Sequence, residues 1–278
     1  MEVGNRIMQK KITYSIGIAV LALLSSFPAA AVTNGAPDNG AHPYVGIMVA
    51  DDADGNPLWR CSGALLSPTV FLTAGHCTEA PAARATIWFD EDIEATPDFG
   101  TEAGYPFEGD GDGTPYTHPF YNPNAFLLFD LGVVILDEPI FMDEYATLPE
   151  AGVVDGIRGP QKQGALTAVG YGLQVINPVF VQANRVRLTA LLDILNTQGV
   201  FGVPKGTSVA VSGSGVGGDA SDSGGTCFGD SGGPQFLTGT NMVVAVTSFG
   251  INGNCAGTGG GYRIDKEFDL DWVNGFLQ

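Results

Sequence analysis

Basic residues are scarce in this chain of 278 residues. Lysine and arginine together number 12, against 30 aspartates and glutamates, so the formal net charge is −18. A strongly acidic surface repels nucleic acid and anionic membranes, and we exclude both as partners. Charged residues make up only 15% of the chain while glycine alone contributes 40 residues, a composition typical of a protein rich in turns and strands.

Cysteine and histidine are also few. The chain has three histidines and four cysteines, and no two cysteines stand in a Cys-x-x-Cys pair. This spacing argues against a zinc site. In an exported chain, four cysteines instead predict two disulfides, although their number alone allows three connectivities. The four are Cys61, Cys77, Cys227 and Cys255.

The chain has no apolar run long enough to span a bilayer. The N-terminal run covers residues 16–24, whereas a spanning helix needs about 20 residues. Basic residues precede this run, and residues 28–31 (Pro-Ala-Ala-Ala) follow it, which is the pattern of a secretory signal peptide. We expect residues 1–31 to be removed, with cleavage after Ala30 as the alternative. The remaining chain is expected outside the cell, or in the periplasm if the source has an outer membrane.

Short β-type runs are abundant in the exported chain. Residues 44–49, 131–136 and 242–248 are examples, and Gly, Pro, Asn and Asp clusters separate such runs. This alternation predicts an all-β sandwich or barrel. Only residues 265–277 differ, because their apolar residues recur at helical spacing. They predict a C-terminal helix in which Trp272 and Phe276 share a buried face.

Several motifs occur in an order that points to one family. Residues 73–77 (Thr-Ala-Gly-His-Cys), 130–134 (Asp-Leu-Gly-Val-Val) and 229–234 (Gly-Asp-Ser-Gly-Gly-Pro) are the most specific, and residues 170–172, residues 248–250 and Tyr262 support them. Over nearly all of the exported chain the sequence resembles the chymotrypsin-family, trypsin-like serine proteases. The resemblance implies two packed six-stranded antiparallel β-barrels, about residues 32–150 and 151–264, followed by the helix. It places the active site between the barrels.

The resemblance also assigns the catalytic residues. It implies that Ser231 is the nucleophile, that His76 is its general base, and that Asp130 orients and stabilises the imidazole. Asp137 is the alternative to Asp130, but it lies beyond the apolar run that Asp130 opens. The backbone amides of Gly229 and Ser231 would form the oxyanion hole. A disulfide between Cys61 and Cys77 would close the loop that carries His76.

An activation ion pair is a further implication. In the family, the carboxylate before the nucleophile binds the α-ammonium of the processed N-terminus, which assigns Asp230 and Val32 here. Because Val32 directly follows Ala31, signal cleavage itself would release this amine. We therefore hypothesise that the enzyme is active from the moment of export.

The specificity pocket is assigned by the same matching. No acidic residue stands where the trypsin branch has its lysine- and arginine-binding aspartate, so an apolar pocket and cleavage after Phe, Tyr, Leu or Met are expected. A loop shift that brought Asp219 or Asp222 into the pocket would restore cleavage after Lys or Arg. The matched substrate-binding residues are Gly225 at the base, Gly250 and Gly260 at the sides, and Thr226, Phe228, Ser248 and Phe249 nearby.

The most specific hypothesis is therefore a secreted, monomeric serine endopeptidase that acts on proteins or peptides and that protein inhibitors could bind. A catalytically silent binding protein of the same fold is the alternative from another class. An α/β-hydrolase is excluded, because its order of Ser, Asp and His differs from the order His, Asp, Ser found here. We interpret His42 and His118 as structural, and Arg185 and Arg187 as exposed charges on one strand.

No cofactor is expected, although a structural calcium ion is a second interpretation of the acidic segment between residues 90 and 112. Oxygen-rich loops bind calcium, but residues 108–113 match a calcium loop only in part. A solvated acidic loop is the simpler interpretation. The segment contains nine carboxylates: Asp90, Glu91, Asp92, Glu94, Asp98, Glu102, Glu108, Asp110 and Asp112.

Overall fold

The computed structural model describes residues 35–176, 181–199, 202–213 and 224–278. The predicted signal peptide, Val32, Asp219 and Asp222 lie outside the described residues. The strands are β1 (Ala36–Pro37), β2 (Val45–Asp51), β3 (Pro57–Ser67), β4 (Val70–Thr73), β5 (Arg84–Trp88), β6 (Gly111–Thr117), β7 (Gly132–Leu136), β8 (Leu166–Gly170), β9 (Val175–Ile176), β10 (Val181–Gln182), β11 (Leu188–Leu192), β12 (Ile194–Asn196), β13 (Ser208–Gly213), β14 (Pro234–Leu237), β15 (Val243–Gly250) and β16 (Gly257–Arg263).

Helical structure is short by comparison. The α-helices of the described residues are α1 (Gly75–Thr78) and α2 (Glu267–Asn274). Single 3-10 turns occur at Ile93–Ala95, Pro123–Ala125, Val153–Gly156 and Gly159–Lys162. Neither α-helix is long and apolar enough to cross a membrane.

Six strands of the first half close into a barrel in the order β2-β3-β4-β7-β6-β5. Strand β2 is buried along its whole length because its alternating side chains enter two different clusters. Met48 and Ala50 belong to the main core, whereas Ile47 and Val49 pack with Trp88. Both faces of the strand are therefore apolar, which explains why residues 44–49 form a continuous hydrophobic run.

Seven strands of the second half and the N-terminal strand β1 form an eight-stranded sheet in the order β1-β11-β8-β14-β15-β16-β13-β12. All its pairs are antiparallel, and β15 carries a bulge between Thr247 and Phe249 where it meets β16. Strand β14 reaches β3 of the barrel, and Phe236 on β14 belongs to the core of the first half. The predicted fold class, packed antiparallel β-structure with a C-terminal helix, is confirmed. The second unit differs from the expected six-stranded barrel, because its strands form an eight-stranded sheet.

Helix α2 packs against the first barrel, where its Trp272 ring lies 4.9 Å from the ring of His118, the residue after β6. It is shorter than the predicted segment 265–277, since the chain leaves the helix at Gly275, whose amide caps the Asp271 carbonyl. Val273 is fully buried. The Trp272 and Phe276 rings lie 5.1 Å apart and both side chains are half-buried, but Phe276 lies beyond the end of α2, so the two residues do not share one buried helix face as predicted.

Arg187 is buried, so its interpretation as an exposed charge is wrong. Its side chain is 3% exposed, and its Nε donates to Asp38 Oδ2 at 3.0 Å. Its Nη1 donates to the Phe89 carbonyl at 2.8 Å and to the Tyr171 hydroxyl at 3.1 Å. Because Phe89 follows the barrel strand β5 and Arg187 precedes β11 of the second sheet, this guanidinium joins the two halves. Arg185 is half-buried and pairs with Glu94.

Candidate active site

His76 and Asp130 are held against each other where the first barrel ends. His76 lies on α1, and Asp130 lies two residues before β7, whose neighbour β4 leads into α1. The His76 Nδ1 atom lies 2.9 Å from Asp130 Oδ2 and 3.0 Å from Oδ1, and the His76 backbone amide donates to Oδ1 at 2.9 Å. With its proton on Nδ1, the imidazole presents an unprotonated Nε2, which can accept a proton.

Asp130 is fully buried. Besides His76, it receives a hydrogen bond from the Ser248 hydroxyl, with 2.5 Å between Oγ and Oδ2. Phe129, the residue before it, has φ of 55°, in the left-handed region that bulky residues avoid. Such strain persists only where the surrounding structure holds it, and it often accompanies a functional residue.

Asp130 and Asp137 are the two candidates for the carboxylate beside His76, and their environments differ. Asp137 is about half exposed, and its carboxylate pairs with Arg84 at the surface. The structure thus brings Asp130, and not Asp137, to the imidazole.

Burial and charge act in opposite directions on His76. Burial disfavours the imidazolium, but the negative charge of Asp130 and the hydrogen bond to it outweigh burial, and the pKa of His76 is raised above its usual value. The His76 side chain is still 24% exposed. An imidazole that gains a proton easily while one face remains open is suited to proton transfer.

Ser231 lies in a loop that is bonded to both halves of the molecule. Its carbonyl accepts a hydrogen bond from the Ser62 amide of β3 at 2.8 Å. The next amide, of Gly232, donates to the Thr247 carbonyl of β15 at 2.7 Å. The loop position is therefore fixed by one strand from each half, and the half-buried Ser231 side chain faces the pocket described below.

Gly229 has a backbone conformation that requires glycine. Its φ is 98°, and a Cβ atom there would lie 3.1 Å from the Gly172 Cα and 3.2 Å from Arg60 Nε. Both the φ angle and the close neighbours therefore exclude a residue with a side chain at position 229.

Asp230 is buried and receives two backbone hydrogen bonds. Gly172 N donates to Oδ1 at 2.8 Å, and Cys227 N donates to Oδ2 at 2.9 Å. Burial raises the pKa of Asp230 to about 6, against the lowering effect of these bonds. A Cβ on Gly172 would overlap the carboxylate, so this glycine makes room for it. Its proposed partner, Val32, lies outside the described residues.

A pocket of about 100 Å³ opens beside Ser231. Of the matched substrate-binding residues, five line it, whereas Gly225 and Gly260 do not; a Cβ on Gly260 would overlap the Phe249 ring. No acidic residue is among the described residues that line the pocket. The lining residues are Thr226, Cys227, Phe228, Ser231, Thr247, Ser248, Phe249, Gly250, Asn252 and Cys255.

The four cysteines form two disulfides, which confirms that expectation. Cys61 pairs with Cys77, sixteen residues later, and so ties β3 to the helix that carries His76. Cys227 pairs with Cys255 and connects the Ser231 loop to the turn before β16. Both disulfides thus brace segments of the candidate site.

The described residues form no metal centre, either at the candidate site or in the acidic segment 90–112. The one group of three potential ligands that converges in this part of the chain is Cys61, His76 and Cys77, and its sulfurs are joined in a disulfide. In the segment 90–112, Asp92 caps a 3-10 turn, Glu94 pairs with Arg185, and Asp110 accepts from the Phe89 amide. No three carboxylates of this segment converge on one point.

Ser62 is a site residue that the sequence analysis missed. It is fully buried on β3, and its hydroxyl donates to the Gly229 carbonyl at 2.8 Å and accepts from the Tyr171 amide at 3.0 Å. In the sequence it is one small residue within a strand, and no local pattern distinguishes it. Only the tertiary contact with the loop identifies it.

The comparisons with known proteins concern the fold and the family. The backbone resembles the solved structure of HL collagenase with a TM-score of 0.66 and 19% sequence identity, and the match covers 88% of this chain and 98% of that one. This likeness shows the fold, which is that of the chymotrypsin-like proteases.

The sequence comparisons name the family. The sequence model of the trypsin family matches residues 33–272. Related proteins include a collagenase of Hypoderma lineatum (24% identical, 84% of this chain and 82% of that protein) and serine protease 1 of Drosophila melanogaster (26%, 87% and 84%). Brachyurin of Leptuca pugilator is 26% identical over 83% of this chain and 91% of its own length. The chain belongs to the trypsin family, and it is a serine-type endopeptidase that needs no cofactor.

Proposed function

We propose that this protein is an exported endopeptidase in which Ser231, His76 and Asp130 form the catalytic triad. The observation that carries the proposal is the fixed orientation of His76, whose ring and backbone nitrogens both donate to the buried Asp130. An imidazole held in this tautomer can remove the Ser231 proton as the hydroxyl oxygen attacks a peptide carbonyl. The resulting imidazolium is stabilised by the Asp130 carboxylate.

The reaction then follows two acyl-transfer steps. Attack by Ser231 Oγ forms a tetrahedral adduct, and its oxyanion accepts hydrogen bonds from the backbone amides of Gly229 and Ser231. Collapse of the adduct expels the amine, which takes the proton from His76, and leaves an ester on Ser231. Water attacks this ester with His76 again as general base, which releases the acid product and restores the hydroxyl.

For substrate preference, we infer cleavage after large apolar side chains. The pocket beside Ser231 is lined by Phe249 and the half-exposed Phe228, and Gly250 adds no side chain to its wall. With no carboxylate among the described lining residues, a Lys or Arg side chain would lose hydration there without an ion pair.

Activation by the new N-terminus is part of the proposal. Asp230 is buried with two backbone donors and forms no ion pair with a described residue; the charge of Arg60 acts on it, but burial still raises its pKa to about 6. The α-ammonium of Val32 would supply the missing positive charge and hold the Gly229 to Ser231 segment in its active conformation. Export is supported by the two disulfides, which persist in oxidising compartments.

A peptide panel tests the proposal. Chains that begin at Val32, with and without Ser231→Ala, are assayed on chromogenic peptides that differ only in the residue before the scissile bond. We expect cleavage after Phe, Tyr, Leu or Met that the substitution abolishes. Cleavage after Arg or Lys would support the mechanism but reject the pocket assignment. If a chain with a verified Val32 terminus cleaves no peptide, the protein is better explained as a binding protein.

A further inference from the structure

A basic concavity formed by described residues lies away from Ser231. It has a volume of about 760 Å³ and shares no lining residue with the pocket beside Ser231. Its walls come from the two 3-10 turns of residues 153–162, the chain after β12, the chain before β13 and the start of α2. Four cationic side chains line this basic pocket: Arg158, Lys162, Lys205 and Lys266.

The ion pairs of the molecule show why this grouping is unusual. Most cations of the described chain contact a carboxylate, as expected where acidic residues outnumber basic ones 30 to 12. Arg158, Lys162 and Lys205 form no ion pair with any described residue, and all three line the same concavity. Arg60 on β3 also forms no ion pair with a described residue and lies outside this concavity, but three unpaired cations that line one concavity are a local excess of positive charge on an acidic chain.

One carboxylate does line the basic pocket, but it is already engaged. Asp155 accepts from Arg263 Nη1 at 2.8 Å and from Lys266 Nζ at 3.4 Å. The hydrogen bond from Arg263, together with its charge, lowers the pKa of Asp155, which therefore stays ionised and holds the two cations in place. Arg263 itself is fully buried behind the wall, where Asp265 fixes it at 2.8 Å.

Gly206 has no side chain that would cover the wall of the basic pocket near Lys266 and Arg263. Its φ is 81°, and a Cβ there would lie 3.1 Å from Lys266 Nζ and 3.6 Å from Arg263 Nη1. Because no side chain covers them, these positive groups are close to the space that the basic pocket encloses. A ligand anion would thus meet cations held by Asp155 on one wall and the Lys162 and Lys205 side chains on the others.

We propose that the basic pocket binds a compact multivalent oxyanion, one that carries two or more phosphate or sulfate groups. Arg158 matches such a group with two parallel N–H donors, and the lysines act as point charges. A compact ligand fits better than a long polyanion, since the remaining surface of this chain, at net charge −18, repels an extended one. Binding leaves the turnover of small peptides unchanged, because the two pockets share no residue.

The proposal can be tested by calorimetric titration of the Ser231→Ala variant of the exported chain. This measurement does not depend on catalysis. The probes are inorganic tripolyphosphate, a sulfated disaccharide and citrate, all at one ionic strength. We expect saturable binding of tripolyphosphate or of the disaccharide, and the tighter of the two identifies phosphate or sulfate as the group recognised. The double variant Lys162→Gln, Lys205→Gln should weaken binding by at least about tenfold.

A matched control separates a site from general charge. Arg84→Gln also removes one cation, but from an exposed pair with Asp137 on the first barrel, and it should leave the affinity unchanged. Circular dichroism checks that each variant is folded, and Lys162→Arg should retain binding. The proposal fails if neither phosphate nor sulfate binds, if citrate binds as tightly as they do, or if Arg84→Gln weakens binding as much as the double variant.

Discussion

The Ser62 hydroxyl donates a hydrogen bond to the Gly229 carbonyl across 2.8 Å, although the two residues are 167 positions apart in the chain. The same hydroxyl accepts from the Tyr171 amide, and the Ser62 amide binds the Ser231 carbonyl. One buried side chain from the first barrel thus fixes the peptide group that follows the proposed oxyanion donor. Rotation of that peptide would turn the Gly229 segment away from the substrate.

Ser62→Ala should therefore lower kcat with little change in KM. The substitution leaves the Gly229 carbonyl and the Tyr171 amide without their buried partner, and we expect a loss of about tenfold or more in kcat. A boronic acid inhibitor that mimics the tetrahedral adduct should lose affinity in parallel. Ser67→Ala is the control, because the Ser67 hydroxyl caps a turn at the far end of the same strand. Equal kcat for Ser62→Ala and the parent would remove this positioning role.

The fall of activity at low pH should reflect the protonation of His76. Catalysis needs the neutral imidazole, and its pKa is raised, so activity should be full at alkaline pH and should fall as the pH drops through a value above the usual 6.5. Ser248→Ala removes a donor to Asp130, which strengthens the effective negative charge beside His76. This variant should shift the limb of kcat/KM to higher pH, and an unchanged limb would show that Ser248 does not act on the imidazole.

Gly250→Val should narrow the pocket. A Cβ at Gly250 meets no atom within 4 Å, so the new side chain fits the fold and occupies pocket space. We expect kcat/KM for a Phe substrate to fall by about tenfold or more, and the value for an Ala substrate to fall far less. Gly253→Val is the control, since Gly253 is equally open but does not line the pocket. Parallel losses for both substrates would contradict the pocket assignment.

Asp230 should make the free energy of unfolding depend differently on pH in the chain that begins at Val32 and in the chain that retains Ala31. Its pKa of about 6 lies above the unfolded value, so without an amine its contribution to stability is complete below about pH 4 and is lost as the pH rises through about 6. In the chain that begins at Val32 the ammonium should remove this loss. The free energy of unfolding should thus differ by up to about 3 kcal/mol at pH 7, and by little at pH 4, from that of a chain with Ala31 retained. Superimposable profiles from denaturant titration would reject the ion pair.

Arg187→Met should destabilise the fold strongly. It leaves Asp38 buried with only the His42 ring as a side-chain partner, and removal of one member of a buried pair costs about 3–5 kcal/mol. Arg84→Met breaks an exposed pair instead and should cost about 1 kcal/mol or less. Chemical denaturation of both variants checks the contrast, and similar losses would mean that the Arg187 pair is not a special link between the halves.

Much of the fold follows from local features of the sequence. Short apolar runs between glycine- and proline-rich turns predict strands because side chains alternate across a pleated backbone, and Trp272 and Phe276 predict a helix because four residues span about one turn. The order of the motifs around His76, Asp130 and Ser231 then pointed to the family. Such signals are local, and a single sequence is enough to display them.

The contacts across the molecule could not be predicted in this way. Strand alternation placed Arg185 and Arg187 on one face but could not tell what covers that face, and Arg187 proved to be buried against Asp38. Ser62 and the basic pocket depend in the same way on segments far apart in the chain. The sequence alone determined which chemical groups are present and their local conformation. Only the tertiary structure decided which of them meet, because burial and pairing depend on distances that the order of residues does not specify.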